Sequence, residues 1–200
     1  MPVLLLCILL LILLLKHRLN SLDHQEQQDN DAFWSKENKA SLPIKKSMDD
    51  LVFLTIPVDQ LPFHNTTDAK LVAIQNTILE LSQQKVCNLS GISNTDLKLK
   101  YGAGNLDELS EYDQNYATLL RTLADWSAHL FELGYDEDAL TVANYAIDCK
   151  TDVSKTYSTL AKIYKKRGQL DQLYALIPIA ESVSTMIDLK KVIYDVLNEY

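Results

Sequence analysis

The fold is decided by two stretches with the same turn pattern, LGYDEDAL at residues 133–140 and RGQLDQLY at residues 167–174, which share the glycine but have low direct identity. In both copies a helical pattern ends just before a glycine, Gly134 or Gly168, and a second pattern begins shortly after it. Glycine adopts the left-handed backbone conformation that ends many helices. Each copy therefore predicts a tight turn between two helices.

The shift that brings Gly134 onto Gly168 also aligns other positions of the flanking helices. Large residues fall on large ones and small residues on small ones: Leu123 on Tyr157, Trp126 on Leu160, Ser127 on Ala161, Leu130 on Tyr164, and Ala146 on Ala180. Small residues at fixed places allow two helices to approach closely. The pattern therefore predicts two successive helical hairpins of similar build.

A helix–turn–helix unit of about 34 residues is typical of tetratricopeptide repeats, and the spacing between the two glycines equals this period. The chain resembles this family over about residues 120–184, and residues 186–200 resemble a terminal capping helix. The copies depart from the family at Leu173, where alanine is preferred, and at Thr151 and Thr185, where proline is usual. The alternative is a plain helical bundle whose two glycines share this spacing by coincidence.

The sequence predicts further helices on both sides of these turns. From residue 110 onward the patterns predict an all-α chain of antiparallel hairpins, with Ser110 as the first cap and helices over about 110–133, 137–149, 153–167, 170–184 and 186–199. Before them, apolar residues at Leu71, Ile74, Ile78 and Leu81 predict another helix. Residues 51–63 contain Pro57 and Pro62 and predict an extended strap on the helical body, so residues 51–109 form a strap with packing helices.

The chain begins with thirteen apolar residues, Val3–Leu15, followed by Lys16, His17 and Arg18. As a helix, residues 1–15 would be about 22 Å long, which is short for a bilayer. The run predicts a single membrane anchor over residues 1–18, followed by a flexible linker over 19–50. A cleaved signal peptide and a buried helix are the alternatives. The cations after the run favour a cytoplasmic C-terminal domain.

The composition argues against several classes of function. A net charge of −8 disfavours nucleic acid as a partner. Cys7, Cys87 and Cys149 form no Cys-x-x-Cys pair, so neither a zinc site nor a redox pair is predicted. His129 stands alone on a helix, and residues 136–138 gather three acids where a helix N-terminus favours them. We therefore predict no enzyme activity, no cofactor and no metal.

The resemblance to tetratricopeptide repeats implies a binding surface for a protein or peptide partner. In that family the first helix of each hairpin lines a groove that holds an extended segment. The matching face carries Arg121, Asp125, Ala128 and Glu132 in the first hairpin, and Lys155, Thr159, Lys162, Lys165 and Lys166 in the second. These lysines favour an acidic partner. The asparagines that clamp a peptide carboxylate in some family members are missing.

These observations predict a membrane-anchored adaptor that binds a protein partner through its helical repeats. Of the residues on the predicted face, the best candidates for partner contact are Arg121, Asp125, Lys155, Lys162, Lys165 and Lys166. The alternative is a structural or assembly subunit of an envelope complex that acts through its anchor. The stretch ISNTDLKLKYG at residues 92–102, taken with the anchor and the repeats, is similar to small bacterial membrane proteins. That resemblance implies no activity.

Overall fold

The structure is a computed structural model that describes residues 30–31, 33–38, 40, 44–183 and 187–199. These residues form helices, turns and extended segments without a β-strand, which confirms the predicted all-α class. The predicted anchor and most of the linker lie outside the described residues. Of the helices that the structure describes, none is both long and apolar enough to cross a bilayer.

Seven longer helices follow one another in the described part of the chain. They are α1 (Ala69–Ser82), α2 (Asn94–Tyr101), α3 (Leu106–Glu132), α4 (Asp136–Asp148), α5 (Ser154–Lys166), α6 (Leu170–Ser182) and α7 (Leu189–Asn198). Short 3₁₀ turns occur at Val58–Gln60 and Ala103–Asn105, and residues 33–38 are helical as well.

The chain divides into two compact units. The first contains the described residues up to Asp50 together with Gly91–Leu109, and the second contains Leu51–Ser90 with the described residues from Ser110 onward. The second unit thus joins residues 51–90 to the helices that carry the repeated turns.

The predicted cap at Ser110 is wrong, because α3 begins earlier, at Leu106. Gly102 ends α2 with a left-handed φ of 88°. The chain then passes through the 3₁₀ turn Ala103–Asn105 and enters α3 without an extended residue between them. Ser110 therefore lies inside a helix that is already formed.

The two glycine turns have the same backbone geometry. Gly134 and Gly168 have φ of 85° and 68°. In each turn the glycine N–H donates to the carbonyl three residues earlier at 3.0 Å, and the next N–H donates to the carbonyl five residues earlier at 2.9 Å. The helices that follow, α4 and α6, have 13 residues each, and each begins two positions after its glycine. The second unit therefore contains two hairpins that have the same turn geometry and second helices of the same length.

Helix α4 lies between two hydrophobic cores. Ala139, Val142 and Ala146 belong to the core that contains Trp126, whereas Ala143 belongs to the core that contains Tyr157 and other residues of α5 and α6. All four α4 side chains are completely buried. The three alanines have small side chains, so neighbouring helices can approach α4 closely and a core forms on each side of it.

Residues 51–63 run along the first of these cores. Ile56 and Leu61 are buried in it, and the ring of Phe63 lies 5.0 Å from that of Trp126, centroid to centroid. The Leu54 N–H donates to the Val86 carbonyl at 2.8 Å, which ties the segment to the loop after α1. This segment and α1 together cover the side of α3 that the repeats leave open.

We expect Gly134→Ala and Gly168→Ala to destabilise the protein by similar amounts, about 1–2 kcal/mol each. A Cβ at either position meets no atom within 4 Å, so the cost comes from the backbone conformation alone. Urea unfolding measures both values, and Gly→Asn at the same positions should cost less because asparagine tolerates this conformation. A clear loss in one alanine variant and none in the other would contradict the equivalence of the turns.

Candidate functional site

A groove on the second unit runs between α3 and α5 and has a volume of about 320 Å³. We call it the α3–α5 groove. It is lined by Lys70 of α1, by Asp125, Ala128, Phe131 and Glu132 of α3, and by Lys155, Ser158, Thr159 and Lys162 of α5. Small side chains at positions 128, 158 and 159 leave room between the two helices, and charged side chains surround that room.

The charges of the groove are only partly balanced. Lys155 pairs with Asp125 at 2.5 Å, and Lys70 lies 3.6 Å from Glu132. Both pairs are half-exposed, which makes such pairs weak. Lys162 has no carboxylate within 4.0 Å in the described part of the chain. Three lysines against two acids leave the groove with a net positive charge at the Lys162 end.

A cluster of His129 with Asp68 and Glu132 holds α1 beside the groove. The Nε2 atom of His129 lies 2.9 Å from Asp68 Oδ1, and its Nδ1 atom lies 3.2 Å from Glu132 Oε2. Asp68 also caps α1 by accepting a hydrogen bond from the Leu71 N–H at 2.7 Å. Each ring nitrogen of His129 therefore lies within hydrogen-bond distance of a carboxylate oxygen. His129 thus has partners on both sides and holds two helices together.

This cluster lowers the pKa of both carboxyl groups. The pKa of Asp68 lies below its usual range, first because of the Leu71 N–H and then because of His129. The pKa of Glu132 is lowered mainly by its hydrogen bond with His129. Both groups therefore stabilise the fold in their charged form.

The structure brings three of the six predicted contact residues together. Asp125, Lys155 and Lys162 line the α3–α5 groove. Arg121 instead lines a neighbouring depression of about 300 Å³ with Asp113 and Asp152, and its Nε donates to the carbonyl of Ala117 within its own helix. Two acids there outnumber the single arginine, so this depression does not extend the basic face.

The remaining two lysines are engaged elsewhere in the second unit. Lys165 donates from Nζ to the carbonyls of Val196, at 2.8 Å, and of Glu199, and so binds the end of α7. Lys166 pairs with Asp136 at 2.6 Å and lies 5.4 Å from the centroid of the Phe131 ring. Neither ammonium group lines the groove, so the basic surface is smaller than the sequence suggested.

Three lining residues were missed by the sequence reasoning. Lys70 belongs to α1, which lies outside the repeated pattern, and only the tertiary structure brings it to the groove. Phe131 and Ser158 are neighbours in sequence of Glu132 and Thr159, which were recognised. The helical period alone places Phe131 and Ser158 beside the predicted binding face. A prediction that counted a broader strip of each helix surface as part of that face would have included them.

The three acids after the first glycine turn each have a basic partner. Asp136 pairs with Lys166, Glu137 lies 3.0 Å from Arg167, and Asp138 lies 2.9 Å from the Nε2 atom of His64. The first two pairs connect the two hairpin turns, and the third connects His64, the residue after the extended segment, to α4. Across residues 44–183 and the other described stretches, no three or more His, Cys, Asp or Glu side chains are placed so that they could hold a metal ion.

Comparison with protein-family models, with curated proteins and with solved structures finds no match to this chain.

We expect the stability of the protein to fall as the pH is lowered through the acid range. The folded-state pKa values of Asp68 and Glu132 are lowered, so their stabilisation is complete above the unfolded values, about 3.9 and 4.3, and is lost as the pH falls through the folded values. Asp68→Asn keeps a capping side chain but removes the charge facing His129. Urea midpoints at several pH values should therefore change less with pH in this variant.

Asp59→Asn is the matched control, because Asp59 is exposed and lies outside this cluster. Its pH dependence should equal that of the unmodified chain. An Asp68→Asn variant whose stability falls with acid as steeply as the unmodified chain would show that the cluster does not matter.

Proposed function

We propose that the protein is a membrane-anchored adaptor that binds an extended acidic segment of a partner protein in the α3–α5 groove. The observation that carries this proposal is the position of Lys162, a lysine without a carboxylate partner among the described residues, at the edge of a groove with a net positive charge. A partner carboxylate would supply the missing anion.

The equal turns at Gly134 and Gly168 support a tetratricopeptide-like arrangement of two repeats. Helix α7 buries Leu189, Ile193 and Val196 in the second core, as a capping helix would. In this interpretation α3 and α5 are the first helices of successive repeats, and they face the bound segment. Helix α1 and residues 51–63 take the place of a further repeat at the other end.

The groove offers contacts for both the backbone and the side chains of a bound segment. The hydroxyl group of Ser158 provides a hydrogen-bonding atom, and Phe131 provides an apolar surface. The half-exposed pair of Lys155 and Asp125 is weak, so an incoming carboxylate can compete with Asp125 for the lysine. Acidic residues placed to meet Lys155 and Lys162, which are two helical turns apart on α5, would therefore be preferred.

The apolar run at residues 3–15 supports the membrane part of the proposal. The cations at Lys16 and Arg18 favour a domain on the cytoplasmic side. An anchor in the bilayer would concentrate the groove at the membrane surface, where partners with membrane-proximal acidic segments are found at high effective concentration.

The groove is tested by charge reversal at its unpaired lysine. The full chain in phosphatidylcholine nanodiscs is titrated with a fluorescent, alternating Glu-and-Leu peptide, and with the same peptide carrying Lys in place of Glu. We expect binding of the acidic peptide only, weakened about tenfold by Lys162→Glu and by added salt.

Lys191→Glu is the control, because it makes the same charge change at an exposed position of α7 that does not line the groove. Equal affinity of the two variants would overturn the groove as the binding site.

A second experiment separates the adaptor from a subunit that acts through its anchor. Deleting residues 1–18 should leave peptide affinity unchanged if the groove alone binds. Loss of binding in a folded deletion variant would favour an assembly role for the anchor.

A further inference from the structure

The first unit exposes two adjacent aromatic side chains. Phe33 and Trp34 are 55% and 56% exposed, and their rings contact each other edge to face at 5.6 Å between centroids. Tryptophan is strongly buried on average in soluble proteins, and the other tryptophan of this chain, Trp126, is completely buried. Exposed aromatic side chains of this kind are suited to contact with an apolar or interfacial environment.

The helical segment that carries the pair is held in place by its other residues. Glu37 accepts hydrogen bonds from Lys98 Nζ at 2.5 Å and from Thr95 Oγ1 at 2.6 Å, and Lys36 pairs with Asp96 at 2.6 Å. These contacts lower the pKa of Glu37, mainly through Lys98 and then Thr95. The segment is therefore fixed against α2 by polar contacts one turn beyond the aromatic pair, which leaves the rings presented outward.

The aromatic pair lies within reach of the predicted bilayer segment. The apolar run ends at Leu15, eighteen residues before Phe33. A chain of that length spans at most about 60 Å when fully extended, and less in any compact form. The surface of a bilayer that holds residues 3–15 is therefore accessible to Phe33 and Trp34.

The charges of the first unit do not favour binding to anionic lipid. Its described residues carry the lysines Lys36, Lys45, Lys46, Lys98 and Lys100, against the acids Asp31, Glu37, Asp49, Asp50, Asp96, Asp107 and Glu108. Lys36, Lys98 and Lys100 are moreover paired within the unit. A polybasic contact with anionic lipid is therefore disfavoured, and an apolar contact is left.

We propose that Phe33 and Trp34 insert into the interfacial layer of the bilayer that holds the N-terminal anchor, and so form a second, apolar contact of the first unit with the membrane. The proposal rests on the anchor assigned under the proposed function. Tryptophan prefers this layer because its ring has an apolar body and an N–H that reaches polar groups. The contact is expected with zwitterionic lipid and does not require anionic lipid.

The two tryptophans make the contact measurable. The full chain is reconstituted in phosphatidylcholine vesicles in which part of the lipid carries bromine on its acyl chains, and tryptophan emission is compared with that of Trp34→Phe. We expect bromolipid to quench the unmodified chain strongly and Trp34→Phe only slightly. Aqueous iodide should hardly quench Trp34 in vesicles.

The Trp34→Phe variant is its own control for folding, because its remaining tryptophan reports on the core of the second unit. Equal bromolipid quenching of the variant and the unmodified chain, or full access of iodide to Trp34 in vesicles, would overturn the contact. Quenching that appears only when phosphatidylglycerol is added would overturn its apolar nature.

Flotation of the vesicles separates this proposal from the anchor. A chain that floats with the vesicles but leaves Trp34 open to iodide would contradict the aromatic contact and keep the anchor. A chain that fails to float at all would contradict both.

Discussion

Helix α4 must be covered on two opposite sides, and the arrangement of the second unit depends on this packing. Its alanines allow α3 to approach from one side and α5 from the other, since a larger side chain at any of these buried positions would push a neighbouring helix away. Neither hairpin buries its own apolar surface alone, because α4 contributes Ala143 to the core that contains Tyr157, and α5 contributes Ile163 to the core that contains Trp126. Each hairpin therefore covers apolar surface of the other.

The same packing creates the surface that the proposed function uses. When α4 lies behind α3 and α5, these two helices stand side by side and their outer faces form the α3–α5 groove. The ion pairs between the hairpin turns, Lys166 with Asp136 and Arg167 with Glu137, add little energy at the surface, but they draw two basic side chains away from the groove. Lys162 has no carboxylate partner among the described residues, so the selectivity proposed for the groove depends on this one lysine and its surroundings.

The sequence predicted the features that are governed by local chemistry. The glycine turns, the approximate bounds of α4 and α6, and the small buried residues Ala146, Ala161 and Ala180 follow from helical period and backbone preference. The start of α3 was missed because a 3₁₀ turn runs directly into it, and no residue marks that junction in sequence. The split of the predicted basic face was missed for another reason. Lys165 and Lys166 find partners on α7 and α4 that are 31 and 30 residues away, and such distant contacts depend on how the helices stack.

The two hairpins should unfold together, because α4 and α5 each supply a buried side chain to the other hairpin's core. This is tested by measuring the unfolding of one hairpin while the other is weakened. In a Trp34→Phe background, Trp126 is the only tryptophan and reports on the first core. Leu173→Ala removes apolar volume from the second core and should cost about 2–5 kcal/mol. We predict that the urea transition of Trp126 fluorescence shifts together with that of circular dichroism. A Trp126 transition that stays at its original midpoint would contradict the account.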